Sequence, residues 1–142
     1  MIIPDVNLLV SAHNETSIFH KAALDWWETS LNGDASILLP HICVNGFVRI
    51  MTHPKILVEP LSVREALEAV DIWMGSSCIS LLAPGLRHYE FYKNILMEIG
   101  VGGKLTTDAY IAAMAIENQA TVFSNDSDFS RISGLRWKNP LN

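Results

Sequence analysis

The chain is poor in cysteine, in positive charge and in long apolar runs. Its two cysteines, Cys43 and Cys78, lie far apart, Cys43 among apolar neighbours and Cys78 at the start of the apolar run "CISLLAP". That excludes a disulfide framework and a cysteine-based metal knuckle, and leaves two reduced, buried thiols. Lys and Arg number 10 against 15 Asp and Glu, a formal net charge of −5. A general nucleic-acid coat is usually basic, so the balance weighs against one. It leaves room for a nuclease, because a carboxylate metal site is itself negative until cations bind. No stretch approaches the roughly 18 apolar residues that a membrane helix needs. Internal repeats and low-complexity segments are also missing. The start, "MIIPDVN", reaches an acid by residue 5 with no basic lead, which argues against a secretory leader. The expectation is a cytoplasmic protein with no membrane segment. The chain has 142 residues, 49% of them hydrophobic, enough to bury one core, and it reads as a single domain spanning residues 1–142.

Apolar runs and helical periods alternate along it. "MIIP" reads as a buried strand, and "DVNLLVSAH" carries Val6, Leu9 and Val10 at helical spacing. Ser17 is placed to cap a helix running to about Leu31, with Phe19, Ala23, Trp26 and Trp27 along one stripe. "SILLP" is a second strand, and residues 42 to 52 form a helix stopped ahead of Pro54. Residues 62 to 74, "SVREALEAVDIWM", carry a capping box in Ser62 and Glu65 and an apolar stripe of Val63, Ala66, Leu67, Val70, Trp73 and Met74. "CISLLAP" is a third strand. "GLRHYEFYKNILMEIG" is a helix with Gly100 as its C-cap. "TTDAYIAAMAIEN" is a small-residue helix suited to close packing on a sheet. "ATVFSN" is the fourth strand, and "LRWKN" a fifth at an edge. Strands separated by helical segments imply crossover connections. The fold class is α/β: three α/β/α layers around a mainly parallel sheet of four or five strands.

In such sheets, sites form beyond the carboxyl ends of the strands. Asp5 follows the first strand directly, Asp126 and Asp128 follow the fourth, and Asp108 stands in the first turn of the helix before it. If strands one and four are neighbours, these carboxylates share one sheet edge. Each also has a local reading: Asp5 as an N-cap, Asp108 as a first-turn acid, Asp126 and Asp128 as turn residues. Like charges brought within a few ångströms need a counter-cation. With no His or Cys in these segments, the donors are all oxygens, which suits Mg²⁺ or Mn²⁺ better than Zn²⁺. Such an ion binds substrate phosphate, acidifies water and stabilises a leaving oxygen, so the chemistry suggested is phosphodiester hydrolysis. An aspartyl phosphotransferase with Asp5 as nucleophile usually wants a second acid two residues on, and that position is Asn7.

Three segments, "IIPDVNLLV", "GFVRIMTHP" and "TTDAYIAAMAIENQATVFSNDSDF", occur in an order and spacing that resemble the PIN-domain nucleases, and within them the VapC-like toxins of toxin–antitoxin pairs. The resemblance covers nearly the whole chain. It implies that Asp5, Asp108 and Asp126 carry a metal and that Asp128 assists as an outer or second-metal ligand. It also implies that Asn7 and Ser124 hold the site in order. The activity implied is a Mg²⁺- or Mn²⁺-dependent endoribonuclease acting on structured RNA such as tRNA or rRNA. The partners implied are a cognate antitoxin and a second copy of the chain. One departure stands out. The family usually places a Glu early in the helix that here reads "VNGFVRI", and the position falls on Gly46, or on Asn45 if the register slips. An Asn45 amide oxygen would ligate only weakly. This departure motivates an alternative, a degenerate PIN domain that binds RNA or protein without cutting. Arg49 is placed either to bind RNA phosphate or to pair with an acid on a neighbouring element. Lys104, in the loop after "VGG", is the best placed of the remaining basic residues for phosphate. His53, Lys55, Arg87, His88 and Lys93 are scattered and read as surface residues.

Overall fold

Ile2, Ile3 and Pro4 form the first strand, β1 (Ile2–Pro4), and Asp5 turns the chain at once into α1 (Val6–His13). In the computed structural model, which describes residues 1–142, the same abrupt step recurs at Pro40. It joins β2 (Ile37–Pro40) to α3 (His41–Met51). Proline ends both strands, where its missing N–H costs the sheet nothing. Between these two steps lies α2 (His20–Leu31). The chain continues through α4 (Val63–Met74), β3 (Ile79–Leu82), α5 (His88–Ile99), α6 (Leu105–Asn118) and β4 (Thr121–Phe123). A 3-10 turn (Ser127–Arg131) and β5 (Arg136–Lys138) complete it.

The sheet has five strands in the order β3-β2-β1-β4-β5, and all four pairings are parallel. The chain first winds outward from β1 to β3, then returns to pair β4 with the other side of β1. That reversal opens a crevice beyond the carboxyl ends of β1 and β4. The register Pro4↔Phe123 sets Asp5 beside Ser124. Helix α1 packs on both α2 and α3, and α3 on α4, while α5 packs on α6. The core between the layers includes Ile3, Leu9, Trp27, Phe47, Trp73 and Val122. Ala109, Ala112, Ala113 and Ala115 of α6 are all fully buried, and their small side chains let that helix lie close to its neighbours. No helix is long and apolar enough to cross a membrane.

Several local expectations hold in detail. The Ser62–Glu65 capping box is formed in both directions, at 3.1 and 3.0 Å. Gly100 ends α5 in the left-handed region at φ 77°, which a glycine enters without penalty. Others are corrected. Ser17 does not cap α2. Its hydroxyl accepts from the Phe19 amide at 3.1 Å inside a separate turn, and the helix begins at His20. The α4 stripe is narrower than the pattern implies, since Val63 and Leu67 are 61% and 47% exposed. Helix α5 starts at His88 rather than Gly85, because the Glu117 carboxylate of α6 accepts from the Gly85 and Arg87 amides at 2.8 and 3.0 Å. His88 is buried, not a surface residue. Its Nε2 donates to the Tyr110 carbonyl at 2.8 Å, and its ring meets that of Tyr110 edge-on.

Candidate active site

The site grows from Asp5, which is both N-cap and buried acid. Its Oδ1 accepts from the Val6 amide at 2.7 Å and its Oδ2 from the Ser124 hydroxyl at 2.7 Å. Only 8% of the residue is exposed. Burial raises its pKa above the ordinary carboxyl value and the nearby Asp126 charge adds to this, while the Ser124 and Val6 hydrogen bonds pull the other way. Desolvation winning over two hydrogen bonds marks an acid held where its charge is costly without a cation.

Ser124 ties this acid to the rest. Its fully buried hydroxyl also accepts from the Asn7 amide at 3.1 Å and from the Asp126 backbone N–H at 3.0 Å. Asn7 reaches back to the Asn125 amide through its own Oδ1. Asp126 then caps the 3-10 turn, its Oδ1 accepting from the Asp128 N–H at 2.9 Å. That turn aims both acids toward α6, where Asp108 stands in the first turn. Carboxylate oxygens of Asp108, Asp126 and Asp128 come within 4.8 Å of one another. Asp5 stands behind this triplet with both oxygens engaged. Thus these four acids meet at one sheet edge, with Asp128 in the tight group and Asp5 at its back.

The electrostatics follow from that crowding. The Asp108 pKa is pushed up to about 7, first by partial burial and then by the charges of Asp5, Asp126 and Asp128, with Lys104 giving slight relief. The Lys104 ammonium lies 3.7 Å from Asp128. That pair is solvated and contributes little to stability, but it brings the Lys104 loop over the acids. An all-oxygen donor set with converging like charges fits a hard divalent cation. Cys43, though nearby, is a buried thiol whose pKa is pushed well up by desolvation, which suits a core residue and not a ligand.

Helix α3 supplies no acid. Gly46 is buried, and a Cβ there would come within 2.9 Å of Val6 Cγ2. Asn45 is exposed and makes no side-chain hydrogen bond, and Arg49 pairs with no acid. Both line a cleft with Asp5 and Thr107. One brace escapes sequence reasoning: the Trp137 indole of β5 donates to the Ser124 carbonyl at 3.1 Å, and Asn139 donates to Asn125 at 3.0 Å. Nothing in "LRWKN" beyond its edge-strand pattern signals that contact.

The sequence profile described as the PIN domain matches residues 2–135. Over 141 residues the chain is 38% identical to Ribonuclease VapC33 of Mycobacterium tuberculosis, covering 99% of both chains. It is 35% identical to Ribonuclease VapC37 of the same organism, covering 99% of this chain and 97% of that one. Among solved structures, VapBC2 from Rickettsia felis, bound to a DNA fragment from its promoter, matches with a TM-score of 0.70 at 20% identity over 98% of each chain. At that identity the match speaks for the fold alone. The profile match and the full-length likeness to named VapC ribonucleases together place the chain in the PIN-domain family.

Proposed function

We propose that the protein is a Mg²⁺- or Mn²⁺-dependent endoribonuclease acting in the cytoplasm, the toxin of a toxin–antitoxin pair, with structured RNA such as tRNA or rRNA as substrate. The observation that carries the reading is the convergence of the Asp108, Asp126 and Asp128 carboxylates within 4.8 Å, with Asp5 buried behind them. The chain's likeness to VapC ribonucleases supports it. Asp108, Asp126 and Asp128 would hold the ion, with Asp5 as the inner acid. When bound, a divalent ion neutralises phosphate charge and acidifies water. The chain's own residues set the stage. Ser124 and Asn7 fix the Asp5 and Asp126 segments, and the Lys104 loop offers a cation to the RNA backbone. A cognate antitoxin and a second copy of the chain are the partners this reading implies.

A non-catalytic PIN domain is the second reading, favoured by α3, which offers no acid at residue 45 or 46. One experiment separates the two. Purified protein is incubated with total RNA and Mn²⁺, with and without EDTA, beside Asp126→Asn. The variant keeps an oxygen to cap the 3-10 turn and removes one of the crowded charges, so without metal it should melt no lower than the parent. Cleavage by the parent should be lost in EDTA and fall at least about 100-fold in the variant, the scale of removing a group that stabilises developing charge. Equal cutting by parent and variant would show that the acidic edge is not the active site. No cutting by the parent would favour the binding module.

A further inference from the structure

A cleft of about 320 Å³ opens beside Asp5, between α3 and the first turn of α6. Asp5, Asn45, Arg49 and Thr107 give it polar groups, and Ile42 and Ile50 give it an apolar wall. Arg49 is the only cation among its lining residues. The molecule's three ion pairs are Lys21–Asp25, Arg87–Glu90 and Lys104–Asp128, so Arg49 has no acidic partner. Its own helix cannot supply one, because His41–Met51 contains no Asp or Glu. Asp5 shares the cleft but spends both oxygens on Val6 and Ser124. A guanidinium left unpaired beside an acidic centre is matched by a ligand that brings its own negative charge. Lys104 lies 3.7 Å from Asp128, at the start of the helix that brings Thr107 to the cleft. A polyanion on the acidic edge would therefore have a second cation within the same region.

We propose that Arg49 is an RNA-binding residue that holds a backbone phosphate next to the one cut, seating it in this cleft. The proposal rests on the ribonuclease reading and deepens it. The planar fork of Arg49 suits two oxygens of one phosphate. The Asn45 amide and Thr107 hydroxyl stand in the same cleft as further donors. Gly46 makes the arrangement possible, because a side chain there would collide with Val6 next to Asp5.

The test uses the full-length protein and a fluorescein-labelled RNA hairpin with an unpaired loop. Binding is followed by anisotropy in Ca²⁺ over a KCl series, and cleavage in Mn²⁺. Arg49→Gln should raise Kd about tenfold, the scale of one charge-assisted contact. It should also flatten the slope of log Kd against log salt by about 0.7, one phosphate on a single strand. In cleavage it should raise KM with kcat preserved. Arg49→Lys should keep the slope and lose part of the affinity. Asn45→Glu, one turn before Arg49 on α3, should capture the guanidinium at i,i+4 and reproduce the Arg49→Gln losses. Mn²⁺ affinity, read by calorimetry, and melting temperature should not change in Arg49→Gln. An unchanged Kd and salt slope in Arg49→Gln overturns the proposal, as does a parent protein that does not bind the hairpin. Arg49-dependent binding without any cleavage keeps the phosphate contact and overturns the catalytic reading instead.

Discussion

Ser124 serves three groups through one buried hydroxyl: the Asp5 carboxylate, the Asn7 amide and the Asp126 backbone. Ser124→Ala should cost about 1–3 kcal/mol, because it strips a partner from a buried acid. The hydrogen bond holds the Asp5 pKa down against burial, so it favours the ionised form. The loss, measured by urea unfolding of the metal-free protein, should therefore be larger at pH 8 than at pH 5. Equal losses at both pH values would mean that the hydroxyl is only filling space. At this scale the acids are legible in the sequence, since Asp5, Asp126 and Asp128 follow strands and Asp108 opens a helix. The burial of His88 is not. A histidine in a helix's first turn reads the same whether it meets water or, as here, the Tyr110 carbonyl of another helix.

Between elements, a close constraint is the approach of α3 to the start of α1. Gly46→Ala would press a methyl against Val6, whose branched Cβ gives it little freedom to turn aside. The expected cost is about 1–3 kcal/mol, the range for overpacking. RNA cleavage should fall too, because Val6 carries the amide that anchors Asp5. Full stability and full cleavage in this variant would show that Val6 yields freely. Ser62→Ala is the contrasting case. It breaks the capping box of α4 and should cost about 1 kcal/mol in thermal melting while leaving cleavage untouched. Caps whose partners lie within a few residues, such as Ser62 with Glu65 and Gly100, could be read from the chain. The start of α5 could not, because its capping group is Glu117, which lies 30 residues beyond Arg87. The same holds for α2, whose nearest cap candidate, Ser17, is drawn into a turn of its own.

Across the whole molecule, charge and fold stability are linked through the acidic edge. The Asp108 pKa rises from an ordinary 3.8 to about 7 on folding, and that of Asp5 rises as well. A carboxyl raised in this way favours the fold fully below its ordinary pKa and loses that contribution as pH rises through about 7. The melting temperature of the metal-free protein should therefore fall between pH 5 and pH 8. Added Mg²⁺ should restore it more at pH 8 than at pH 5, because the ion binds the ionised acids. Half-buried His13, whose pKa is lowered by desolvation, works the opposite way over this range, so the check is Asp108→Asn: a pH dependence equal to the parent's would contradict the crowding of these carboxylates. Alternating strands and helices made the parallel sheet legible, but the placement of β4 against β1 was only a condition. Ala120, Val122 and their neighbours carry no mark of which strand they will join. That pairing has a consequence for how the protein is made. Asp5 and its partner Ser124 are separated by 119 positions. A chain leaving the ribosome can form β1, β2 and β3 in turn, yet its acidic edge stays open until β4 and the turn after it arrive. A chain that stops before β4 carries Asp5 without Ser124, Asp126 or Asp128, so the acidic edge exists only once both sides of β1 are paired.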